Sequence, residues 1–191
     1  IAEMILKNLE DPEGILAHVG VAGPGFLNFS FSAKFCYQRL RQIEAETETA
    51  LDIGKGDKVA TISNNRPEWN FTDMGILQIA AVHVPIYPTI TEHDLGFILK
   101  DADVKLIFVS SKDLVDKVKN VVSQSALAIK IYSFDQVAGT NLWTELTESG
   151  KKDPQKEKVQ ALSDGVKPTD LFTILYTSGT TGVPKGVMLN H

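Results

Sequence analysis

The chain reads as an α/β protein in which strands and helices alternate to build a mainly parallel sheet. Three observations predict this. Short apolar, β-branched runs recur at 59–62, 84–88, 105–109, 129–132 and 171–175. The segments between them place apolar residues every three to four positions, the period of an amphipathic helix. Glycine or proline punctuates most of the junctions. Alternation of this kind implies right-handed βαβ crossovers and a sheet covered on both faces.

The elements follow in order. Over residues 33–54, Cys36, Leu40, Ile43, Thr47 and Ala50/Leu51 lie on one helical stripe, and Gly54 is a natural stop. Gly56-Asp57 turns the chain into the strand 59–62. Pro67 opens the next helix because its missing N–H is not needed in a first turn, and Glu68 suits the positive end. Trp69, Thr72, Ile76, Ile79 and Ala80 form its buried stripe. Val84-Pro85-Ile86-Tyr87-Pro88 is extended, and Thr91 caps a helix that runs to Lys100. A strand at 105–109, a helix at 114–122 and a strand at 129–132 complete the regular part. A helical turn is expected at 143–146. Residues 148–168 are polar and lysine-rich, which predicts an exposed connection with one short helix at 156–162. An apolar run at 171–175 reads as a buried strand, and 187–189 as a further strand.

Bulk properties narrow the function. The chain has 191 residues, 43% of them hydrophobic and 23% charged, with a net charge of −5. That is a globular composition with no electrostatic reason to bind nucleic acid. Cys36 is the sole cysteine, so an intrachain disulfide is excluded and a reducing cytoplasm is expected. The longest apolar region, 75–87, is interrupted by Gln78, His83 and Pro85 and is too short to span a bilayer. Peripheral membrane association through another part of the protein is left open.

The most specific stretch is Tyr176-Thr177-Ser178-Gly179-Thr180-Thr181-Gly182-Val183-Pro184-Lys185-Gly186. A loop of this composition after a strand can aim backbone N–H groups and hydroxyls at one point, with a cation beside them, as a polyphosphate requires. It is not the Walker loop: Gly182 precedes Lys185 by three positions, Pro184 intervenes, and a strand rather than a helix follows.

These eleven residues resemble the phosphate-binding signature of the AMP-forming adenylating enzymes, which include acyl-CoA synthetases, luciferases and peptide-synthetase adenylation domains. Gly56-Asp57-Lys58-Val59-Ala60, Asn65-Arg66-Pro67-Glu68-Trp69, Val84-Pro85-Ile86-Tyr87-Pro88-Thr89 and Asp170 resemble the N-terminal motifs of long-chain fatty-acid–CoA ligases. One local departure is Ala80-Ala81, where that family usually carries a glycine. Residues 33–191 are thus similar to the first part of the family's large AMP-binding domain, with its C-terminal end absent.

The resemblance implies activation of a fatty acid by ATP through an acyl-adenylate, followed by thioester formation with coenzyme A. Thr177, Ser178, Gly179, Thr180, Thr181, Gly182 and Lys185 would hold the ATP phosphates, and Thr177 would lie near Mg2+. No catalytic residue is assigned within the chain. The partners implied are fatty acid, ATP, coenzyme A and the missing remainder of the same enzyme, with no nucleic acid for 33–191. Adenylation of an aryl or amino acid is a second reading. A non-catalytic module in a tRNA-binding or scaffold fusion is a third.

Residues 1–32 fit this family poorly. Val19-Gly20-Val21-Ala22-Gly23-Pro24-Gly25-Phe26-Leu27-Asn28-Phe29 resembles the end of the N-terminal domain of arginyl-tRNA synthetases, a region that helps bind tRNA. The residues themselves predict a hairpin turning at Gly23-Pro24-Gly25, with Leu27, Phe29 and Phe31 on one face. A short amphipathic helix through Ile1, Met4/Ile5 and Leu9 precedes it. The expectation is an appended helix–hairpin of separate origin, peripheral to the sheet and joined near Ser32, against the alternative of a divergent family N-terminus.

Other candidates carry less. His18, His83, His93 and His191 lack metal-ligand spacing, and His83, flanked by apolar residues, is expected to be a packed core histidine. Ser178 lies in no nucleophile elbow. Asp101 and Asp103 are expected at a helix end with solvated carboxylates. Lys151, Lys152, Lys156 and Lys158 form a solvated face, and Trp69 and Trp143 are anchors in or near the core.

Overall fold

A computed structural model describes residues 4, 7, 9, 11, 16–22, 26–31, 51, 53–152, 155–177 and 182–191. The chain divides into two compact units, 1–41 and 42–191. In the first, strands β1 (Leu16–Ala22) and β2 (Phe26–Phe31) form an antiparallel pair, as the flanks of a Gly-Pro-Gly turn predict. The pairing is irregular between Leu16 and His18, where the Leu16 N–H donates to the Asp11 carboxylate at 2.8 Å. Met4 and Lys7 are helical. The turn itself, the Phe29 and Phe31 side chains and most of the expected helix 33–54 lie outside the described residues.

The second unit alternates as the sequence predicts. Strand β3 (Lys58–Ile62), helix α1 (Pro67–Gln78), β4 (Val82–Ile86), α2 (Glu92–Asp101), β5 (Val104–Val109), α3 (Lys112–Ser125) and β6 (Lys130–Ser133) follow one another. Then come β7 (Asn141–Leu142), α4 (Thr144–Lys152), α5 (Lys156–Asp164), β8 (Leu171–Thr177) and β9 (Lys185–Asn190). The sheet order is β7-β6-β5-β3-β4-β8-β9, parallel throughout except for the antiparallel β8–β9 pair.

Alternating strand residues feed two cores. Ala60, Ile62, Val84, Ile107 and Ile174 meet Leu95 and Leu99 of α2 and Val115 and Val118 of α3 on one face. Val59, Leu106 and Phe108 meet Leu51, Ile76 and Leu146 on the other. From β3 the chain moves one way to β4. From β4 it crosses back over β3 to reach β5, so successive crossovers run in opposite directions and their helices cover opposite faces.

Helix ends follow local chemistry. The Thr91 hydroxyl accepts the Asp94 N–H at 3.1 Å and starts α2. Helix α1 closes with Ala80 in the left-handed region, φ 57°. There Ala81 N–H donates to Ile76 O at 3.1 Å and Ala80 N–H to Leu77 O at 3.0 Å, the paired bonds of a Schellman cap. Glycine adopts this left-handed backbone without strain, and Ala80 takes it here.

The largest departure from expectation is at 143–168, which holds two helices rather than a turn and one short helix. Leu146, Gly150 and Val159 are buried there, and their wide spacing in a lysine- and glutamate-rich stretch hid the pattern. The Lys151, Lys152, Lys156 and Lys158 face is solvent-exposed as expected. Among the described residues, no helix is long and apolar enough to cross a membrane.

Candidate active site

In an open α/β sheet the place to look is the carboxyl edge of the strands, where crossover direction reverses and loops diverge. Here β3, β4 and β8 lie side by side, and the loops that leave them meet around a cleft of about 670 Å³. Its walls include Ser63 and Asn65 after β3, Trp69 of α1, Pro85 of β4, and Leu175 and Thr177 of β8. A second hollow of about 420 Å³ lies toward Asp94 and Ile98 of α2 and Pro184. Tyr87 and Thr89 border both spaces, as do Tyr176 and Thr177. The wall they form is tied from below, where the Lys117 ammonium donates to Ile90 O at 3.0 Å.

The glycine/threonine loop joins β8 to β9. Thr177 and Lys185 are directly paired residues at its root, both exposed, and opposite residues of an antiparallel pair share a face. Gly182 has φ +80°, with open space where a Cβ would stand. It is therefore the backbone rather than crowding that asks for glycine there. Ser178, Gly179, Thr180 and Thr181 lie outside the described residues. The donor chemistry around the cleft, a hydroxyl and an ammonium at the root of a glycine-bearing loop, fits a nucleotide polyphosphate with its divalent cation. Among the described residues, no group of three or more His, Cys, Asp or Glu side chains could hold a metal by itself.

The cleft's β3 lip is fixed by Arg66. Its guanidinium donates twice to Glu68, Nε to Oε2 at 2.8 Å and Nη2 to Oε1 at 2.9 Å. Nη1 reaches Asp135 Oδ1 at 2.9 Å and Ser110 O at 3.1 Å, and the group lies 5.3 Å from the Phe134 ring centroid. The loops after β3, β5 and β6 are thus drawn to one cation. The Glu68 carboxyl titrates below its usual range, chiefly because Arg66 hydrogen-bonds its charged form. The same partner, Glu68 first, holds the Arg66 guanidinium well above its ordinary value.

His83 is buried at 1% exposure, yet it is more than a packed ring. Nδ1 donates to Asp73 Oδ1 at 2.6 Å, and Nε2 shares a hydrogen bond with the Thr61 hydroxyl at 3.0 Å. Trp69, the cleft wall, sits 5.2 Å from the imidazole centroid. Sequence reasoning placed Trp69 and His83 in the interior but did not join them. It also missed Asp101 as the acceptor of the Tyr176 hydroxyl at 2.6 Å. The signal for the cleft was available in principle, since every wall segment lies at or just beyond the end of a parallel strand.

The sequence matches the AMP-binding enzyme family over residues 37–191. Fatty acyl-CoA synthetase A of Dictyostelium discoideum is 32% identical over 155 residues, covering 74% of this chain and 22% of its own. Long-chain-fatty-acid–CoA ligase FadD15 of Mycobacterium bovis is 33% identical over 158 residues, covering 82% and 26%. The chain therefore spans about a quarter of the length of these relatives. Among solved structures, an anthranilate CoA ligase, AuaEII, in complex with anthranoyl-AMP superposes with a TM-score of 0.71 at 18% identity, covering 100% of this chain and 34% of that one. A Mycobacterium tuberculosis fatty acyl CoA synthetase gives 0.62 at 24% identity, covering 86% and 30%. These two likenesses concern the fold. With its family match, its relatives and its loop in agreement, the chain belongs to the AMP-binding enzyme family of adenylate-forming enzymes.

Proposed function

We propose that this chain forms the phosphate-binding start of an acyl-CoA synthetase that activates a medium- to long-chain fatty acid. The observation that carries the reading is the pairing of Thr177 with Lys185 at the root of the glycine/threonine loop, beside the cleft at the strand ends. ATP supplies an α-phosphorus for attack by the carboxylate, with pyrophosphate as leaving group. The protein's task is positioning and charge stabilisation as that group departs.

The hydroxyls of Thr177, Ser178, Thr180 and Thr181 and the N–H groups of 177–182 are assigned to the β,γ-phosphates. Lys185 offsets their growing charge as a point cation. Mg2+, when bound with the nucleotide, would neutralise the same oxygens, and the Thr177 hydroxyl is the group assigned to it. Coenzyme A would then take the acyl group from the adenylate. Relatives named as long-chain-fatty-acid–CoA ligases support the fatty acyl class.

ATP–pyrophosphate exchange tests this on the protein extended to the length of its relatives. Palmitate is expected to support exchange, with benzoate and amino acids far weaker. Preference for benzoate or an amino acid would move the substrate to the second reading. Exchange with no acid would end the enzymatic one.

A further inference from the structure

Tyr176 sits one residue before the phosphate loop and is tied to distant parts of the fold. Its hydroxyl donates to Asp101 Oδ2 at the end of α2 at 2.6 Å, across 75 residues of sequence. Its cross-strand partner is Gly186, the first residue after Lys185. A Cβ on Gly186 would stand 2.9 Å from Ile174 Cγ2 and 3.2 Å from Tyr176 Cζ. The ring therefore occupies the space that a side chain at 186 would fill, an arrangement in which an aromatic covers a strand glycine. Tyr176 also borders both hollows beside the loop.

We propose that Tyr176 is a positioning residue, a strut that seats on Gly186 and is latched to Asp101, and so sets where the two stems of the loop leave the sheet. The strut joins three elements: β8, β9 and the end of α2. Burial, and then the Asp101 carboxylate, push the Tyr176 phenol well above its ordinary range. The hydroxyl accordingly remains a donor at every pH at which a ligase would work. A stem fixed in place presents Thr177 and Lys185 with less freedom left to lose on binding phosphates, and the gain falls on nucleotide binding rather than on the acid. This deepens the proposed function and rests on it for its kinetic readout.

The test compares Tyr176→Phe, Asp101→Asn and Asp101→Leu in the protein extended to the length of its relatives. Tyr176→Phe is expected to raise KM for MgATP in pyrophosphate exchange by about five- to tenfold, with KM for the acid and kcat nearly unchanged. Asp101→Leu should match it, Asp101→Asn, which keeps an acceptor oxygen, should recover most of the loss, and Tyr176→Phe/Asp101→Leu should be no worse than either single change. Independent, multiplicative effects overturn the latch, as does a lowered Tm with all kinetic constants unmoved.

A wild-type protein without exchange activity would sink the enzymatic reading and leave the strut to a second measurement on the 191-residue chain itself. In that chain, Tyr176→Phe should speed hydrogen exchange of the stem amides at 175–177 and 185–187, which pair across β8 and β9, by about threefold or more. Unchanged exchange rules the strut out.

Discussion

Two alanines share a strained backbone but differ in what their methyl groups do. Ala80 and Ala126 have φ of 57° and 51°, a region that costs a non-glycine residue about 1–2 kcal/mol. Ala126 is exposed at the end of α3, so glycine there relieves the strain and gives back only chain entropy. Ala126→Gly is expected to stabilise by about 0.5–1 kcal/mol, seen as a rise in Tm of about 2 °C. Ala80 is 6% exposed, and losing its buried methyl offsets about 0.8 kcal/mol. Ala80→Gly should therefore be close to neutral despite the matching geometry. Thermal melts of the two variants side by side decide this.

Charge behaves differently at the two basic positions of the site. The Glu68 pKa is depressed by Arg66, so its contribution is present above the unfolded value, about 4.3. It is lost as pH falls through the lower folded value. Both side chains are 24% exposed, and with that screening the pair contributes about 0.5–1 kcal/mol. Glu68→Gln should destabilise by that amount at pH 7 and by almost nothing at pH 3, measured by urea titration. Lys185 is exposed at the loop root, and among the described residues no ion pair holds it. In the protein extended to the length of its relatives, Lys185→Ala should leave Tm unchanged and weaken the proposed adenylation by about 1.5–3 kcal/mol, roughly ten- to a hundredfold in kcat/KM. Equal activity in the variant and the wild type would remove Lys185 from the site.

At the scale of elements, β9 is unusual because all six of its residues are exposed. It forms the sheet's outer edge, with Val187 and Leu189 on the face of Leu175 and Met188, 69% exposed, on the other. An uncovered apolar edge with free backbone donors and acceptors invites pairing with another chain. The 191-residue chain is expected to self-associate at high concentration. Leu189→Lys should reduce that association without lowering Tm, as read by light scattering alongside a melt.

Element type was legible wherever the apolar period was dense, as in β5 or in α3, whose Leu114, Val115, Val118 and Val121 are buried. It was not legible in α4 and α5, where one or two buried residues per helix are enough to dock it. The cleft follows a similar rule. Its loop announced itself by composition, while the Arg66–Asp135, His83–Asp73 and Tyr176–Asp101 contacts join residues 10 to 75 positions apart. No local pattern encodes such pairs.

For the molecule as a whole, the sheet order ties the phosphate loop to the history of the chain. Strand β8 is parallel to β4, and the Thr173 hydroxyl donates to His83 O at 2.8 Å across 90 residues. Closing so long a segment costs entropy before any contact is gained, whereas the β3-to-β6 segment assembles from neighbouring crossovers. The loop-bearing hairpin should consequently dock last, after the fold's rate-limiting barrier, as nonlocal strands tend to. Ile174→Val, a loss of one buried methylene from β8, should then speed unfolding and leave the refolding rate almost untouched, whereas Ile107→Val in β5 should slow refolding. Stopped-flow measurements on the two variants would reverse this order of assembly if Ile174→Val proved to be the slower to refold. On this account the hairpin that bears the proposed nucleotide site is the last part of the unit to form and the first to open, so a nucleotide bound there as proposed would act as a kinetic lock on the folded state.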